Sequence, residues 1–514
     1  MGWRVPHFVA VAALMISVNV VPLSAQGSSG ASRSRVRYRL IDLGTFGGPN
    51  STDFASPIMN NRGAITGAAD TADSDPNYPN CYNFDCFVTH SYIWRKGVLT
   101  DLGGLPGGFG SEGNGINDYN QVVGQSLNGL IDPLVGTPAG VAVLWQSNGQ
   151  IVDLGTLGGN ESLAATINNR GQVVGAAANA VPDSFPGPLG FWGTQTRAFL
   201  WEKGVMKDLG DLGGPDAFGI SVNERGQIAG ISYTSSTLSG VANDWCQDIP
   251  PQNPFLWEKG RMIDLGTLGG ACGFPSFGVG LNNQGQVVGQ SDLAGDFTAH
   301  PFLWDPKRHP HLRDLGTLGG TFGSATGLND AGEIVGFATT ADDVATHAFY
   351  WSNGLMKDLG TVKGDGCSVA YHINAGGQVV GTSGDGCDEV HAFVWQLGGP
   401  MMDLNDLVPS GSGLVLTAGE FINDRGEIGA SGVLPNGDHH AVLLIPCDDK
   451  QVDTDDCRVS AQNGNKSPTG PEFLAAESPD QMNRTAQERV ARIRARLARR
   501  YHIFSAGAAR NSKH

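Results

Sequence analysis

The chain has 514 residues, of which only 16% are charged, and it carries a net charge of −17. That length suits several small domains or one long repeat domain, and the acid excess excludes a nucleic-acid surface as the main function, because phosphates would be repelled. Its 75 glycines show no collagen period and mark many turns.

The first element is an export signal. Arg4 supplies a positive start, Phe8 to Val21 is mostly apolar, and Leu23-Ser24-Ala25 offers small residues for cleavage. The apolar run is short for a membrane span, so a cleaved signal over residues 1–25 and a secreted or periplasmic protein are expected. Export makes disulfides permissible. The eight cysteines fall as neighbours: Cys81 and Cys86, Cys246 and Cys272, Cys367 and Cys387, Cys447 and Cys457. None has the paired spacing of a zinc site, and four disulfides are expected, with the connectivity left open by sequence alone.

From residue 36 the chain repeats. Asp153-Leu-Gly-Thr-Leu-Gly-Gly159 recurs at Asp264 and Asp314, with weaker copies from Asp42, Asp101, Asp208, Asp358 and Asp403. Each interval has one grammar: an apolar stretch ending in Asn, then Gly, then Gln-Val-Val-Gly, a variable segment, a stretch ending in Trp, and a short turn into the next motif. These are four short β-branched or aromatic runs bounded by turn residues, strands a to d, and Val36 to Pro446 shows no helical period. The a–b turn has the form Asn-x-x-Gly, with Asn at 60, 117, 168, 223, 282, 329, 374 and 423. Gly follows in seven units and Asn120 in the eighth, as a left-handed turn position requires.

Units of four antiparallel strands and about 45 residues have the size of propeller blades. Strands a, b and c occur eight times, but no d strand follows the last, His440 to Leu444. An orphan d strand, Tyr38 to Gly44, precedes the first a strand. The sequence therefore predicts an all-β fold: an eight-bladed β-propeller over residues 36–446, closed by its N-terminal strand. Solenoid and sandwich arrays are the alternatives. Residues 447–480 read as a polar linker and 481–504 as a basic amphipathic helix, before a disordered end at 505–514. In the helix, Met482, Ala486, Val490, Ile493, Leu497 and Tyr501 form a stripe flanked by Arg489, Arg492, Arg496, Arg499 and Arg500. It is expected to be a solvated tail, a latch onto the acidic propeller, or a contact for an anionic surface.

Little in the repeat points to chemistry. The motif carboxylates lack the dense oxygen-ligand alternation of calcium loops, so calcium is unsupported and no cofactor is predicted. They are expected to accept backbone N–H bonds in d–a turns. Trp94, Trp145, Trp201, Trp257, Trp304, Trp351 and Trp395 close strand c, with Leu444 in the eighth place, and are expected to pack blade on blade. His90, His300, His347, His391 and His440 precede strand c, where a local hydrogen bond is expected rather than a metal. The cluster Asp438, His439 and His440 is the one remaining metal candidate. No catalytic site is predicted: there is no G-x-S-x-G, H-E-x-x-H or P-loop pattern. Acidic stretches at Asp365 and at Asp385 to Glu389 read as a disulfide-braced loop.

Strands running outward from an axis place the b–c and d–a loops on one edge. The b–c loops are long in the first four units, from Asp70 to His90, Ser126 to Val141, Ala177 to Arg197 and Tyr233 to Asn253. There the off-repeat aromatics Phe191, Trp192 and Trp245 are candidate ligand-face residues, against the alternative of a mini-core beneath the loops. That asymmetry predicts a non-enzymatic binding or scaffold module for an extracellular polysaccharide or protein, monomeric, with no nucleic-acid partner. A carbohydrate hydrolase or lyase using the same edge is the rival, and an envelope structural protein a third reading.

The units Asp-Leu-Gly-Thr-Leu-Gly-Gly…Ile-Asn…Gly-Gln-Val-Val-Gly, with His347-Ala-Phe349 and His391-Ala-Phe393, resemble the HAF repeat, found in a family of probable extracellular bacterial proteins. The resemblance spans Leu40 to Leu444. It implies an exported bacterial protein and supplies no catalytic residues. Val141, Arg197 and Asn253 stand at the His position in three units.

Overall fold

The computed structural model describes residues 36–447 and Cys457, apart from 53–57, 77, 79–80, 82–84, 184–191, 236–249, 272–279, 297, 388–389 and 412. The expected signal, most of the linker, the basic helix and the chain end lie outside the described residues, as do Phe191, Trp245, Cys246 and Cys272.

The fold is all-β. Among the described residues there are five four-stranded antiparallel sheets and one of twelve strands. The larger sheet is three groups of four, joined by single parallel bridges between Ala299 and Phe322 and between Thr346 and Cys367. Unit 3 shows the pattern. Strand a spans Gly158–Ile167, b Val173–Pro182, c Thr194–Glu202 and d Val205–Asp208. Each pairs antiparallel with the next. The first six residues of strand b are all buried, so both faces of the sheet are covered.

The coverage comes from neighbouring units. Trp145 packs with Ile93 of the preceding unit, Trp351 with Val288 and Leu303, and Trp395 with Val335 and Tyr350. Trp94 of unit 1 shares a cluster with Leu443 of unit 8. Basic residues of strand d then cap the next unit's ring: Lys207 lies 5.2 Å from the Trp257 centroid, Arg313 5.1 Å from Trp351 and Lys357 4.8 Å from Trp395.

Two motif residues owe their identity to close geometry. Strand a bulges at one equivalent place in six units, between Gly113 and Gly115 in unit 2 and between Ala164 and Thr166 in unit 3, for example. The strand a backbone just before the bulge lies so close to strand b that a Cβ on Gly124, Gly175, Gly230, Gly336 or Gly381 would sit about 2 Å from a carbonyl oxygen. The last glycine of Gln-Val-Val-Gly is thus a packing requirement. The Asn-x-x-Gly turn has its expected backbone, with φ of 74° at Gly171 and 58° at Asn120.

The turn asparagine does more than shape its own turn. Asn168 Oδ1 accepts from the backbone N–H of Arg170 and Gln172, at 3.0 and 3.1 Å. Its Nδ2 donates to the carbonyl of Asn223, the same residue one unit on, at 2.9 Å. Every unit repeats this: Asn60 donates to Asn117, Asn117 to Asn168, Asn223 to Asn282, Asn282 to Asn329, Asn329 to Asn374, and Asn374 to Asn423. Asn423 donates back to Asn60 at 3.2 Å, so the series returns to its start.

Other contacts join the ends of the repeat array. Tyr38–Asp42 pairs antiparallel with His439–Pro446, and Tyr38 is buried. Ser51 Oγ accepts from the N–H of Ala441 at 3.0 Å. Disulfides join Cys81 to Cys86, Cys367 to Cys387 and Cys447 to Cys457, with Cα separations of 5.2, 4.9 and 6.3 Å. Three such bonds fit an oxidising compartment.

Candidate binding face

The sheets have two edges of different character. One carries the a–b and c–d turns, the other the b–c and d–a loops. On the loop edge every motif aspartate closes the same Asx turn, its carboxylate accepting the N–H two residues on. The acceptors are Asp42, Asp101, Asp153, Asp208, Asp264, Asp314, Asp358 and Asp403.

The strand c histidines are the partners of these carboxylates, a pairing that sequence reasoning missed. His90 Nδ1 lies 2.9 Å from Asp101, His300 2.9 Å from Asp314, His347 2.9 Å from Asp358, and His440 2.8 Å from Asp42. Where the histidine is replaced, Arg197 reaches Asp208 at 3.2 Å and Asn253 donates to Asp264 at 2.8 Å. Unit 7 exchanges partners: His391 meets Asp365, and Lys363 takes Asp403 at 2.8 Å. Burial alone would raise the carboxyls of Asp42, Asp101, Asp314 and Asp358. The histidine hydrogen bond, a backbone N–H and the histidine charge outweigh it and hold all four below the ordinary range. His440 is raised, chiefly by its hydrogen bond to Asp42. Among the described residues no group of three or more His, Cys, Asp or Glu is arranged to hold a metal.

Carboxylates also tie b–c loops to the d–a segments beside them. Asp70 accepts from Asn50 N–H, Asp132 from Asn160, Asp296 from Ala271 N–H and Asp343 from Thr321 N–H. The loops thus form a connected surface rather than separate tips. It is strongly anionic. Across the b–c and d–a loops the sequence carries two arginine or lysine side chains, Arg197 and Lys363. Both are neutralised, Arg197 by Asp208 and Asp211, Lys363 by Asp403 and Asp406. The turn edge holds Arg62, Arg95, Lys96, Arg170, Lys203, Arg225, Lys259, Lys307, Arg308 and Arg425.

Two acid sites on the loop edge stand apart. In unit 1 Asn50 bridges a pair, its N–H on Asp70 and its Nδ2 on Asp85, both at 2.9 Å. Burial, and then the charge of Asp85, push the Asp70 carboxyl up to about 6. The Cys81–Cys86 disulfide closes the same loop.

The second site is at the junction of units 3 and 4. In units 2, 3 and 7 a serine on strand a accepts the preceding unit's strand c N–H: Ser111 from Ser91, Ser162 from Ala142, Ser368 from Ala348. These serines also donate to the motif glycine carbonyl. Asp216 occupies this place in unit 4 and accepts from Thr196 N–H at 2.7 Å. It is fully buried, and its Oδ2 makes no hydrogen bond. Burial first, and then Asp183, push its carboxyl up to about 8.

Several exposed large apolar side chains stand on the loop edge of the first units. Tyr78 is 77% exposed, Leu130 66%, Leu134 58% and Ile131 57%, with Phe109 and Val181 about half exposed. Their segments are contiguous. Thr89 bridges to Gly110, Asn160 holds Asp132, and the Gly193 position faces Leu134 and Val135. Trp192 is placed differently from the expectation of a ligand-face aromatic. It is 3% exposed and packs in a cluster with Phe218, Ile231 and Tyr233.

No family model matches the chain, and no curated protein sequence matches it. Among solved structures, it is similar to the β-propeller domain of the Trilobed protease from Pyrococcus furiosus, described as having an open velcro topology. The two are 9% identical over 70% of this chain and 96% of that one, with a TM-score of 0.40. Dipeptidyl peptidase 4 of Porphyromonas gingivalis matches at 10% identity over 72% of this chain and 55% of its own, with a TM-score of 0.40. A protein titled a putative gluconolactonase matches at 11% over 60% and 81%, with a TM-score of 0.24.

Proposed function

We propose that the chain is an exported repeat protein of the HAF type, built as an eight-bladed β-propeller whose last blade borrows its outer strand from residues 38–42. The hydrogen-bond series that runs through eight asparagines and returns to Asn60 supports that architecture. On this scaffold the loop edge of the first four units is a non-enzymatic binding face for an extracellular polysaccharide or protein. The observation that carries this reading is the exposure of Tyr78, Phe109, Leu130, Ile131, Leu134 and Val181 on the loop edge of the first units. Isolated exposed apolar residues are ordinary, whereas a contiguous patch inside a polar rim is characteristic of recognition surfaces.

The test is a glycan and peptide array probed with the full chain, followed by product analysis. Retention without cleavage, lost in Leu130→Ser/Leu134→Ser, supports the binding module. No retention on any surface speaks against it. The Asp70–Asp85 pair favours a second reading, a carbohydrate hydrolase, because a carboxyl held near 6 suits a general acid. New reducing ends that disappear in Asp85→Asn, with retention unchanged, would establish that reading instead.

A further inference from the structure

We infer that the loop edge is covered, in the isolated chain, by the chain's own basic segment, residues 481–504. The inference rests on the reading of that edge as a binding face, and it adds an occupant and a form of self-regulation. Three observations converge on it.

The first is charge. The loop edge carries motif, loop and junction carboxylates, and its two cations, Arg197 and Lys363, are already held in ion pairs. The histidines His90, His300, His347, His391 and His440 on that edge each lie against a carboxylate as well. Residues 481–504 contain Arg484, Arg489, Arg492, Arg494, Arg496, Arg499 and Arg500 against the single acid Glu488. The turn edge, where arginines and lysines stand among acids such as Asp118, Glu224, Asp330 and Asp424, offers no comparable excess of negative charge. Edge and segment are therefore complementary in sign, and the attraction should fall with ionic strength.

The second is the match of apolar surface. Leu130, Ile131, Leu134 and Val181 stand exposed within the anionic edge. Val490, Ile493 and Leu497 recur at helical spacing between the arginines, so one face of such a helix is apolar and the rest is cationic. A purely polar tail would leave the patch uncovered, and a purely apolar one would leave the carboxylates unopposed.

The third is reach. The described body ends on the turn edge, where Pro446 pairs with Tyr38, Cys447 N–H bonds Arg37, and the Cys447–Cys457 disulfide pins the exit. The segment must therefore cross the height of a sheet. A ten-residue strand such as Val173–Pro182 spans about 33 Å. Residues 458–480 span about 75 Å fully extended and about 27 Å as a flexible coil. The linker is long enough to bring the segment over the edge and short enough to keep its local concentration high.

The test uses the full chain and a variant with Arg489→Gln, Arg492→Gln, Arg496→Gln, Arg499→Gln and Arg500→Gln. The probe is a labelled synthetic peptide of residues 481–504. The peptide is expected to bind the variant at least tenfold more tightly than it binds the unaltered chain, whose edge is already occupied, and to weaken steeply with added salt. Amides of residues 127–138 should exchange faster in the variant. Equal binding to both chains, or no binding to either, overturns the inference. So does concentration-dependent self-association of the unaltered chain that the variant lacks, because the segment would then dock on a second copy. Binding of the unaltered chain to anionic vesicles with no change in exchange at 127–138 overturns it too. Leu130→Ser/Leu134→Ser in the array separates the two readings: a ligand that still depends on these residues keeps the binding face even where the peptide fails.

Discussion

The turn edge and the loop edge of these sheets are built under opposite demands. At the turn edge one solution is repeated eight times: an asparagine whose side chain satisfies its own turn and donates to the next asparagine's carbonyl. At the loop edge only the Asx turn is constant, while the residue that meets its carboxylate is His, Arg, Asn or Lys. Identity is held fixed where a buried backbone must be satisfied. It is free to vary where a half-exposed carboxylate accepts any donor.

That contrast is most directly broken at the turn edge. Asn168→Ala leaves the N–H groups of Arg170 and Gln172 and the carbonyl of Asn223 without their partner. It should cost about 3 kcal/mol or more, read as a lowered midpoint in guanidinium unfolding. The loop-edge brace comes next. Replacing Cys367 and Cys387 together by serine releases a closed loop with a sequence separation of 20 and should cost about 3 kcal/mol by the same measurement.

The unit 3–4 junction tests the contrast in the other direction. Asp216 binds a proton in the fold, to about 8, that the unfolded chain releases near its ordinary range, so the fold loses stability as pH rises between those values and no further above them. Asp216→Ser supplies the hydroxyl that Ser51, Ser111, Ser162 and Ser368 provide in four other units. It should stabilise the chain by about 2 kcal/mol at pH 9 and flatten unfolding curves recorded from pH 5 to 9.

Smaller effects belong to the His–Asp pairs. The lowered carboxyl of Asp42 contributes above its ordinary range and is lost as pH falls through its folded value. The raised His440 contributes below its ordinary range and is lost as pH rises through its folded value. The pair is therefore worth most between about pH 4 and 6.5. Because both groups are partly exposed, His440→Ala should cost under about 1 kcal/mol there and nearly nothing at pH 9. Least of all, Leu130→Ser/Leu134→Ser should move stability by no more than about 0.5 kcal/mol while abolishing ligand retention.

The same contrast decides what the sequence made legible. Strands, the Asn-x-x-Gly turn and the role of the motif aspartates could be read because each recurs in every unit, and recurrence isolates the physical demand. Partners were harder to see. That Asn168 reaches Asn223, or that His90 meets Asp101, depends on distances between segments that no spacing within a unit encodes. Unit 7 shows the difficulty, since Asp365 and Lys363 lie in one short loop and take over both halves of a pair expected elsewhere. Asp216 could have been found by alignment of the units, as the one acid at a serine position. Trp192 fits the mini-core alternative rather than the ligand face, a choice the sequence left open because an aromatic residue outside the repeat can serve either role.

The asparagine series has a further consequence. Each side-chain amide points the same way round, and the last returns to the first only because all eight spans fit together. A chain that gained or lost one unit would need new partners for the asparagines on either side of the change. Duplication or deletion of a unit interrupts this series of asparagines, whereas lengthening a loop on the opposite edge disturbs none of its eight links.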